Sequence, residues 1–182
     1  MKLLIHTCCA DCALKMLKAL NLTTPVALYF YNPNIHPQEE YYARLRALKL
    51  VFGKQTGVRL IIPHWSPKEY FAQIKRLLET HREINDRTIR CPECWRLRLE
   101  TTCKYAKEEG YEAVTSTMLT SQYLNKEKIV GLGSALAQEY GLKFVRPANN
   151  EVFEPTKGFY KQNYCGCVFS LMERMAKKYQ LR

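Results

Sequence analysis

The sequence predicts an α/β protein in which helices cover both faces of a parallel sheet. Short apolar runs alternate with longer amphipathic segments along most of the chain. Such alternation is typical of strand–helix–strand units, in which consecutive strands pair in parallel. Cysteine-rich loops follow the first strand and precede two later helices. Because ligands of such sheets bind at the carboxyl ends of the strands, we expect these loops to meet in one cleft.

Five short runs are predicted to be strands, because they are rich in Val, Leu, Ile and aromatic residues and are bounded by turn residues. In chain order they cover residues 2–7, 25–31, 58–63, 113–118 and 142–145. With 47% hydrophobic residues among 182, the chain is expected to form a core and to fold as a single domain, residues 1–182.

Six segments are predicted to be helices, because their apolar side chains recur at intervals of three or four. In chain order they cover residues 13–20, 38–55, 67–81, 94–109, 125–140 and 168–179. Gly57 is predicted to end the second helix, and Gly141 the fifth. The polar residues 83–90 are predicted to form a loop, and residues 153–164 show no regular pattern.

The composition favours a polyanionic partner, because 28 basic and 17 acidic residues leave a net charge of +11. A basic enzyme without a nucleic-acid partner can have the same composition. No apolar run approaches about 18 residues, so no membrane span is expected, and the start lacks the pattern of a secretory signal. We therefore expect a cytoplasmic protein, in which clustered cysteines bind metal or do redox chemistry rather than form structural disulfides.

Seven of the eight cysteines fall in three short clusters: Cys8-Cys9-Ala10-Asp11-Cys12, Cys91-Pro92-Glu93-Cys94 and Cys165-Gly166-Cys167. Thiolates at such spacing can ligate one metal ion or one cluster. Seven exceed the needs of one four-coordinate ion. The sequence therefore predicts either an iron–sulfur cluster beside a second metal or thiol, or one metal site beside a redox pair. Cys103 stands alone in a predicted helix and is expected to pack in the core.

The first cluster allows more than one assignment. Cys9 and Cys12 have the two-residue spacing of a shared centre, whereas the adjacent side chain of Cys8 is expected to diverge towards a second metal or to act as a nucleophile. Asp11 is interpreted either as a cap of the following helix or as an oxygen ligand of iron. Pro92 is expected to lie in the first turn of its helix, with the cysteine pair at the helix N-terminus.

Histidines and basic residues supply further candidates. His36 follows the Asn32-Pro33-Asn34 turn near the expected cleft and is a candidate proton donor or substrate contact, whereas His6 is expected to be a hydrogen-bonded structural residue. The basic residues beside the second cysteine pair are candidate phosphate contacts: Arg87, Arg90, Arg96 and Arg98. Those of the second helix are expected to form a solvated face: Arg44, Arg46, Lys49 and Lys54.

With these residues in place, the chain resembles the cobalamin-independent epoxyqueuosine reductase family, QueH. The resemblance rests on motifs in fixed order: His6-x-Cys8-Cys9-x-x-Cys12, Tyr31-Asn32-Pro33-Asn34-Ile35-His36-Pro37, Glu40-Tyr41, Arg90-Cys91-x-x-Cys94 with Arg96-Leu97, Thr115-Ser116-Thr117-Met118-Leu119, and Tyr160-x-Gln162-x-Tyr164-Cys165-Gly166-Cys167-x-Phe169-Ser170. These motifs span nearly the whole chain. Asp11 departs from the family pattern, in which proline is common at this position.

The resemblance implies that the epoxide of epoxyqueuosine at the wobble position of tRNA is reduced to the alkene, with release of water. It implies a [4Fe-4S] cluster, an adjacent mononuclear iron and an external electron donor similar to ferredoxin or flavodoxin. The start of the chain also resembles the Rossmann-like nucleotide alpha-hydrolase fold of PP-loop (HUP) enzymes, with cysteines in place of the phosphate loop. ATP chemistry is therefore not expected.

On this resemblance, we assign each candidate residue a role. The cluster is assigned to Cys9, Cys12, Cys91 and Cys94, and the second metal to Cys8, Cys165, Cys167 and Asp11. His36 and Asp11 are the candidate catalytic residues. The competing hypotheses are a zinc-bearing RNA-binding module and a thiol-based tRNA sulfur transferase. The latter is disfavoured, because no Ser-Gly-Gly-x-Asp-Ser run follows the first strand.

Overall fold

The computed structural model describes residues 1–21, 26–53, 57–81, 86–147, 160 and 163–180. Within those residues the strands are β1 (Leu3–His6), β2 (Val26–Tyr29), β3 (Val58–Ile61), β4 (Ala113–Ser116) and β5 (Lys143–Phe144). The helices are α1 (Ala10–Leu20), α2 (Gln38–Phe52), α3 (Pro67–Thr80), α4 (Arg87–Glu108), α5 (Lys126–Glu139) and α6 (Val168–Tyr179). A 3₁₀ helix, Thr117–Thr120, directly follows β4.

The strands form one parallel sheet in the order β3-β2-β1-β4-β5. In the central strand, Ile5 is in register with Leu28 on one side and Thr115 on the other. All four residues of β1 are buried, as a strand covered on both faces requires. Right-handed crossovers place α1 and α2 on one face and α4 and α5 on the other, and the two helices of each pair are in contact. The predicted α/β class is confirmed.

The strand order reverses beside β1. The chain passes from β1 outward to β2 and β3, then returns to the other side of β1 as β4. At such a switch point the loops after the two central strands separate and leave a crevice at their carboxyl ends. The first cysteine loop follows β1 and the 3₁₀ helix follows β4, so both border this crevice.

Two helices begin earlier than predicted. Helix α4 begins at Arg87 because Asp86 caps it, accepting a hydrogen bond of 2.7 Å from the Thr88 N–H. The predicted loop is therefore wrong from residue 87 onward, and its residues 83–85 lie outside the described part. Pro92 lies inside α4 rather than in its first turn. Helix α1 begins at Ala10, which places Cys12 in its first turn.

Other boundaries differ less. Helix α2 ends at Phe52 with Gly53 as its C-cap, so the prediction that Gly57 ends it is wrong. Helix α6 has the predicted bounds. Of the segment 153–164, for which no regular pattern is predicted, all but residues 160, 163 and 164 lie outside the description. In the described ranges, no helix combines the length and the apolar character that crossing a membrane demands.

Two leucine variants, one buried and one exposed, test the described core. Leu4, in the central strand, is fully buried, whereas Leu50 is 84% exposed. We expect Leu4→Ala to lower the free energy of unfolding by about 2–5 kcal/mol, because it removes buried methyl groups and leaves a cavity. The control Leu50→Ala is expected to change it by less than about 0.5 kcal/mol. Urea denaturation measures both, and equal losses would contradict the described core.

Candidate functional site

A cavity of about 690 Å³ opens at the carboxyl ends of the central strands. All seven cysteines of the three clusters line it: Cys8, Cys9, Cys12, Cys91, Cys94, Cys165 and Cys167. The eighth, Cys103, is buried in the core and does not line the cavity. Side chains from three segments far apart in the sequence therefore meet where the topology leaves a crevice.

The first cluster brings three sulfur atoms together. The Sγ atoms of Cys8, Cys9 and Cys12 all lie within 4.8 Å of one another. The expectation that Cys8 diverges from its neighbour is therefore wrong. The chain bends at Cys8 as it leaves β1, and Cys12 lies in the first turn of α1, so both return to the side of Cys9. Three thiols this close can bind a metal ion.

Contacts from the neighbouring strand orient Cys8. Its N–H donates a hydrogen bond of 3.2 Å to the Thr117 hydroxyl, and its Sγ lies 3.5 Å from the same oxygen. Thr117 is the first residue of the 3₁₀ helix after β4. Pairing of β1 with β4 therefore fixes the first cysteine loop at its start.

The third cluster forms a compact loop before α6. The Sγ atoms of Cys165 and Cys167 lie 3.5 Å apart, and Cys165 Sγ lies 3.1 Å from the Ser170 hydroxyl. Cys167 is the N-cap of α6, and its sulfur accepts a hydrogen bond of 3.3 Å from the Ser170 N–H. Gly166 has a φ of +107°, which favours glycine. The turn at Gly166 thus directs both thiols to the same side.

A buried ion pair on α2 supports this loop. Arg44 Nε donates a hydrogen bond of 2.6 Å to Glu40, and its other nitrogens reach the carbonyl oxygens of Cys165 at 3.3 Å and Tyr164 at 3.5 Å. Arg44 is 1% exposed, so the prediction that it belongs to a solvated face is wrong. The i, i+4 spacing of Glu40 and Arg44 is the sequence signal that could have indicated their pairing.

Hydrogen bonds between neighbouring thiols lower the pKa of one and raise the pKa of another. In the first cluster, hydrogen bonds from Cys12 and Cys9 hold the pKa of the Cys8 thiol well below its ordinary value, while the pKa of Cys12 rises to about 12. In the third, a hydrogen bond from Cys167 lowers the pKa of Cys165 to about 5. In each of these clusters, hydrogen bonds between the thiols therefore favour the deprotonated form of one sulfur over that of its neighbour.

The second cluster lies on α4, where burial has the larger effect. Burial raises the pKa of the Cys94 thiol to about 12, although the charge of Arg98 acts in the opposite direction. Tyr70 lies against the same wall, and burial raises the pKa of its hydroxyl above the ordinary value. Neutral thiols here can become ligands only by losing their protons to solvent or base.

Asp11 lines the cavity and accepts a salt bridge of 2.7 Å from Lys15. The interpretation of Asp11 as a helix cap is wrong, because Cys9 is the N-cap of α1 and makes no side-chain cap bond. Asp11 lies instead in the first turn, where a carboxylate interacts favourably with the helix dipole. Its carboxylate therefore lies at the cavity wall beside the first cluster.

His36 does not line the cavity. Its ring centroid lies 4.9 Å from that of Phe71 and 5.9 Å from that of Trp65. Its backbone N–H donates a hydrogen bond of 2.8 Å to the Gly166 carbonyl, and its own carbonyl accepts one of 3.0 Å from the Tyr164 hydroxyl. The described contacts of His36 thus support the third cysteine loop through the backbone.

The candidate phosphate contacts divide into two groups. Arg90 and Arg98 are buried and line the cavity, whereas Arg96 is exposed and does not line it. Arg87 is largely exposed and forms a salt bridge with Glu173. Sequence reasoning missed the opposite wall, formed by residues between Thr117 and Lys126. Their position directly after a central strand is the signal that could have identified them.

Comparison with known proteins agrees with these motifs. The profile of a family described as "Epoxyqueuosine reductase QueH" matches residues 3–173. A protein named epoxyqueuosine reductase QueH from Dehalococcoides mccartyi is 33% identical over 97% of this chain and 96% of its own length. One of the same name from Thermotoga maritima is 32% identical over 96% of this chain and 92% of its own length. One from Histophilus somni is 32% identical over 94% of this chain and 73% of its own length.

The turn at Gly166 provides a test of the third loop. A Cβ at this position would lie 2.9 Å from Arg44 Nη2 and 3.0 Å from Ile35 Cγ1. We expect Gly166→Ala to displace both thiols and to weaken metal binding about 10–100-fold, as loss of support around metal ligands typically does. Metal affinity after anaerobic reconstitution is the measurement.

The matched control is Gly57→Ala. Gly57 has a similar φ of +97°, but a Cβ at this position would have no described atom within 4 Å, and the residue is far from the cysteine loops in the fold. This variant is expected to lose about 1–2 kcal/mol of stability through backbone strain and to keep its metal affinity. Wild-type affinity in Gly166→Ala would show that the loop geometry is not needed.

Proposed function

The chain belongs to the epoxyqueuosine reductase QueH family, and we propose that its cysteine-lined cavity reduces the epoxide of epoxyqueuosine in tRNA to the alkene of queuosine. The reaction consumes two electrons and two protons and releases one water molecule. The observation that carries the proposal is the meeting of seven thiols from three distant segments on one cavity. Such a donor set suits a metal-dependent oxidoreductase.

The residues fit an iron–sulfur centre. Thiolates are soft ligands that favour iron–sulfur clusters and zinc, and three Sγ atoms already lie within 4.8 Å of one another before any metal is added. We infer that the seven cysteines, with Asp11 as an oxygen ligand, hold a [4Fe-4S] cluster and an adjacent mononuclear iron. The position of Cys8 beside Cys9 and Cys12 removes the reason for assigning it to a separate metal.

When bound, the cluster would supply electrons one at a time and the adjacent iron would act as a Lewis acid towards the epoxide oxygen. The protein supplies the space and the orientation. A cavity of about 690 Å³ is within the range of sites that enclose a small ligand, so it can take a nucleoside turned out of the anticodon loop. Gln122, Tyr123 and Asn163 line it with groups that can hydrogen-bond or stack on a base.

The leaving oxygen requires an acid on the cavity wall. Lys15 and Asp11 both line the cavity and share a hydrogen bond of 2.7 Å. We assign proton delivery to this pair, with Lys15 Nζ as the group that holds the proton next to Asp11. His36 is not used in this assignment, because its ring packs among aromatic side chains away from the cavity.

The partners follow from the chemistry. Electrons come from an external carrier similar to ferredoxin or flavodoxin in the cytoplasm, where tRNA is modified and thiols stay reduced. The net charge of +11 favours association with the phosphates of tRNA and with an acidic carrier. Arg174 and Lys126 line the cavity and are the candidate phosphate contacts at its rim.

Two buried cysteines permit a matched test of the centre. We expect Cys9→Ala to lose the bound iron and sulfide, the visible charge-transfer absorption and the turnover, because one ligand is removed. Cys103→Ala changes an equally buried thiol outside the cavity and is expected to keep all three. The measurements are iron and sulfide counts after anaerobic purification and mass spectrometry of treated tRNA. Zinc without iron or sulfide would instead support an RNA-binding module.

A second pair of variants tests the acid. We expect Lys15→Gln, which removes the group that holds the proton and keeps the assigned iron ligand Asp11, to lower the turnover number by about 10²–10⁴-fold, the usual contribution of a positioned acid or base. His36→Gln is expected to leave it within about threefold, since the ring lies outside the cavity. Single-turnover assays on iron-loaded protein measure both. A large loss in His36→Gln with unchanged turnover in Lys15→Gln would reverse the assignment.

A further inference from the structure

Three buried arginines line the cavity, and two of them have a carboxylate partner. Arg44 pairs with Glu40 at 2.6 Å, and Arg90 pairs with Glu173. Arg98, on α4, is 4% exposed. Among the residues that the structure describes, no salt bridge or hydrogen bond joins Arg98 to a carboxylate.

The polar groups beside Arg98 are neutral. Its Nη2 donates a hydrogen bond of 3.2 Å to the Asn32 side-chain oxygen, and its Nε lies 3.4 Å from His6 Nε2. His6 is fully buried, with its ring nitrogens 2.8 Å from the Ser116 hydroxyl and 3.1 Å from the Tyr31 carbonyl. Burial and the charge of Arg98 lower the pKa of His6 to about 3, so the ring is neutral. These partners orient the guanidinium without compensating its charge.

Sulfur atoms that can become thiolates share the cavity with Arg98. Cys94 lies one turn before Arg98 on α4, and a hydrogen bond and the charge of Arg98 both act to lower the pKa of that thiol. The same charge acts on Cys8 and on Cys165. Arg98 lines the same cavity as Cys8, Cys94 and Cys165, so one guanidinium shares that space with a cysteine from each of the three clusters. A buried cation without an opposite charge is strongly unfavourable, so the site as built requires negative sulfur around it.

We propose that Arg98 is the counter-ion of the sulfur-bound centre and that its charge sets the reduction potential of that centre. The inference rests on the proposed redox function. Reduction adds negative charge to the centre, and a fixed cation beside the ligands stabilises the reduced form, which raises the potential. Arg98 acts through the cysteines rather than on the substrate, so it is a positioning and tuning residue.

This role differs from those of the other two arginines. Arg44 pairs with Glu40, and Arg90 pairs with Glu173, a carboxylate that it shares with the exposed Arg87. Arg44 also binds backbone carbonyls of the third loop. Their removal is expected to affect loop geometry first. Removal of Arg98 is expected to lower the reduction potential of the centre, because among the described residues only sulfur atoms are available to balance its positive charge.

The test compares four forms of the full chain: wild type, Arg98→Gln, Arg98→Lys and the control Arg96→Gln. Arg96 lies on the same helix but is exposed and does not line the cavity. Iron and sulfide are counted first, and the midpoint potential is then measured by anaerobic titration. At the wild-type midpoint, we expect the ratio of reduced to oxidised centre to fall about tenfold in Arg98→Gln, a shift of about 59 mV for one electron.

Arg98→Lys keeps the charge and is expected to restore most of the shift, whereas Arg96→Gln leaves the potential unchanged. Loaded Arg98→Gln protein with the wild-type potential would overturn the proposal. A midpoint potential in Arg98→Lys shifted as far as that of Arg98→Gln would also overturn it, and so would loss of iron from both variants. Either result would show that the site needs the shape of arginine rather than its charge. Wild-type protein without a redox centre would refute the proposed function itself, which the first count reveals.

Discussion

The constraint on which the site depends is the burial of positive charge, because three guanidinium groups lie beside the seven sulfur atoms that line one cavity. Arg44, Arg90 and Arg98 come from two helices on the two sides of the cysteine loops and are almost completely excluded from solvent. Burial of so much positive charge is tolerable only with negative partners. Glu40 and Glu173 provide such partners for Arg44 and Arg90, whereas for Arg98 we propose that the sulfur atoms do so.

The sheet makes this arrangement possible. Only the loops after β1 and β4 border the switch in strand order, and they carry the first cysteine cluster and the opposite wall of the cavity. Hydrogen bonds then connect the remaining segments to the same end of the sheet. The Asn32 side chain donates to the Thr7 carbonyl at 2.8 Å, and the His36 N–H donates to the Gly166 carbonyl. The turn after β2 thus joins the first and third cysteine loops, which gives this polar turn a structural role beside the site.

Local pattern was enough to predict most of the fold. Strand runs and helical periodicity gave the α/β class, and the bounds of α6 agree with the structure. The predicted start of α4 is too late, because its capping residue, Asp86, lies in a run of polar residues that is typical of a loop. Burial of Arg44 and Arg98 could not be inferred from composition, since a basic residue on an amphipathic helix is usually solvated. For Arg44 the local signal is Glu40, four residues before it, whereas Arg98 has no carboxylate at such a spacing and lines a cavity that distant segments form together.

Helical geometry also explains why the half-buried Cys91 and Cys94 of α4 are candidate ligands and the buried Cys103 is not. At 3.6 residues per turn, each residue advances about 100° around the axis. Cys91, Cys94 and Arg98 then fall within an arc of about 60°, the arc that faces the cavity. Cys103 lies about 180° from Cys94 and packs in the core near Leu99 and Ala106. A single face of α4 therefore delivers both the sulfur ligands and the cation that balances them, so a rotation of this helix would remove both from the cavity together.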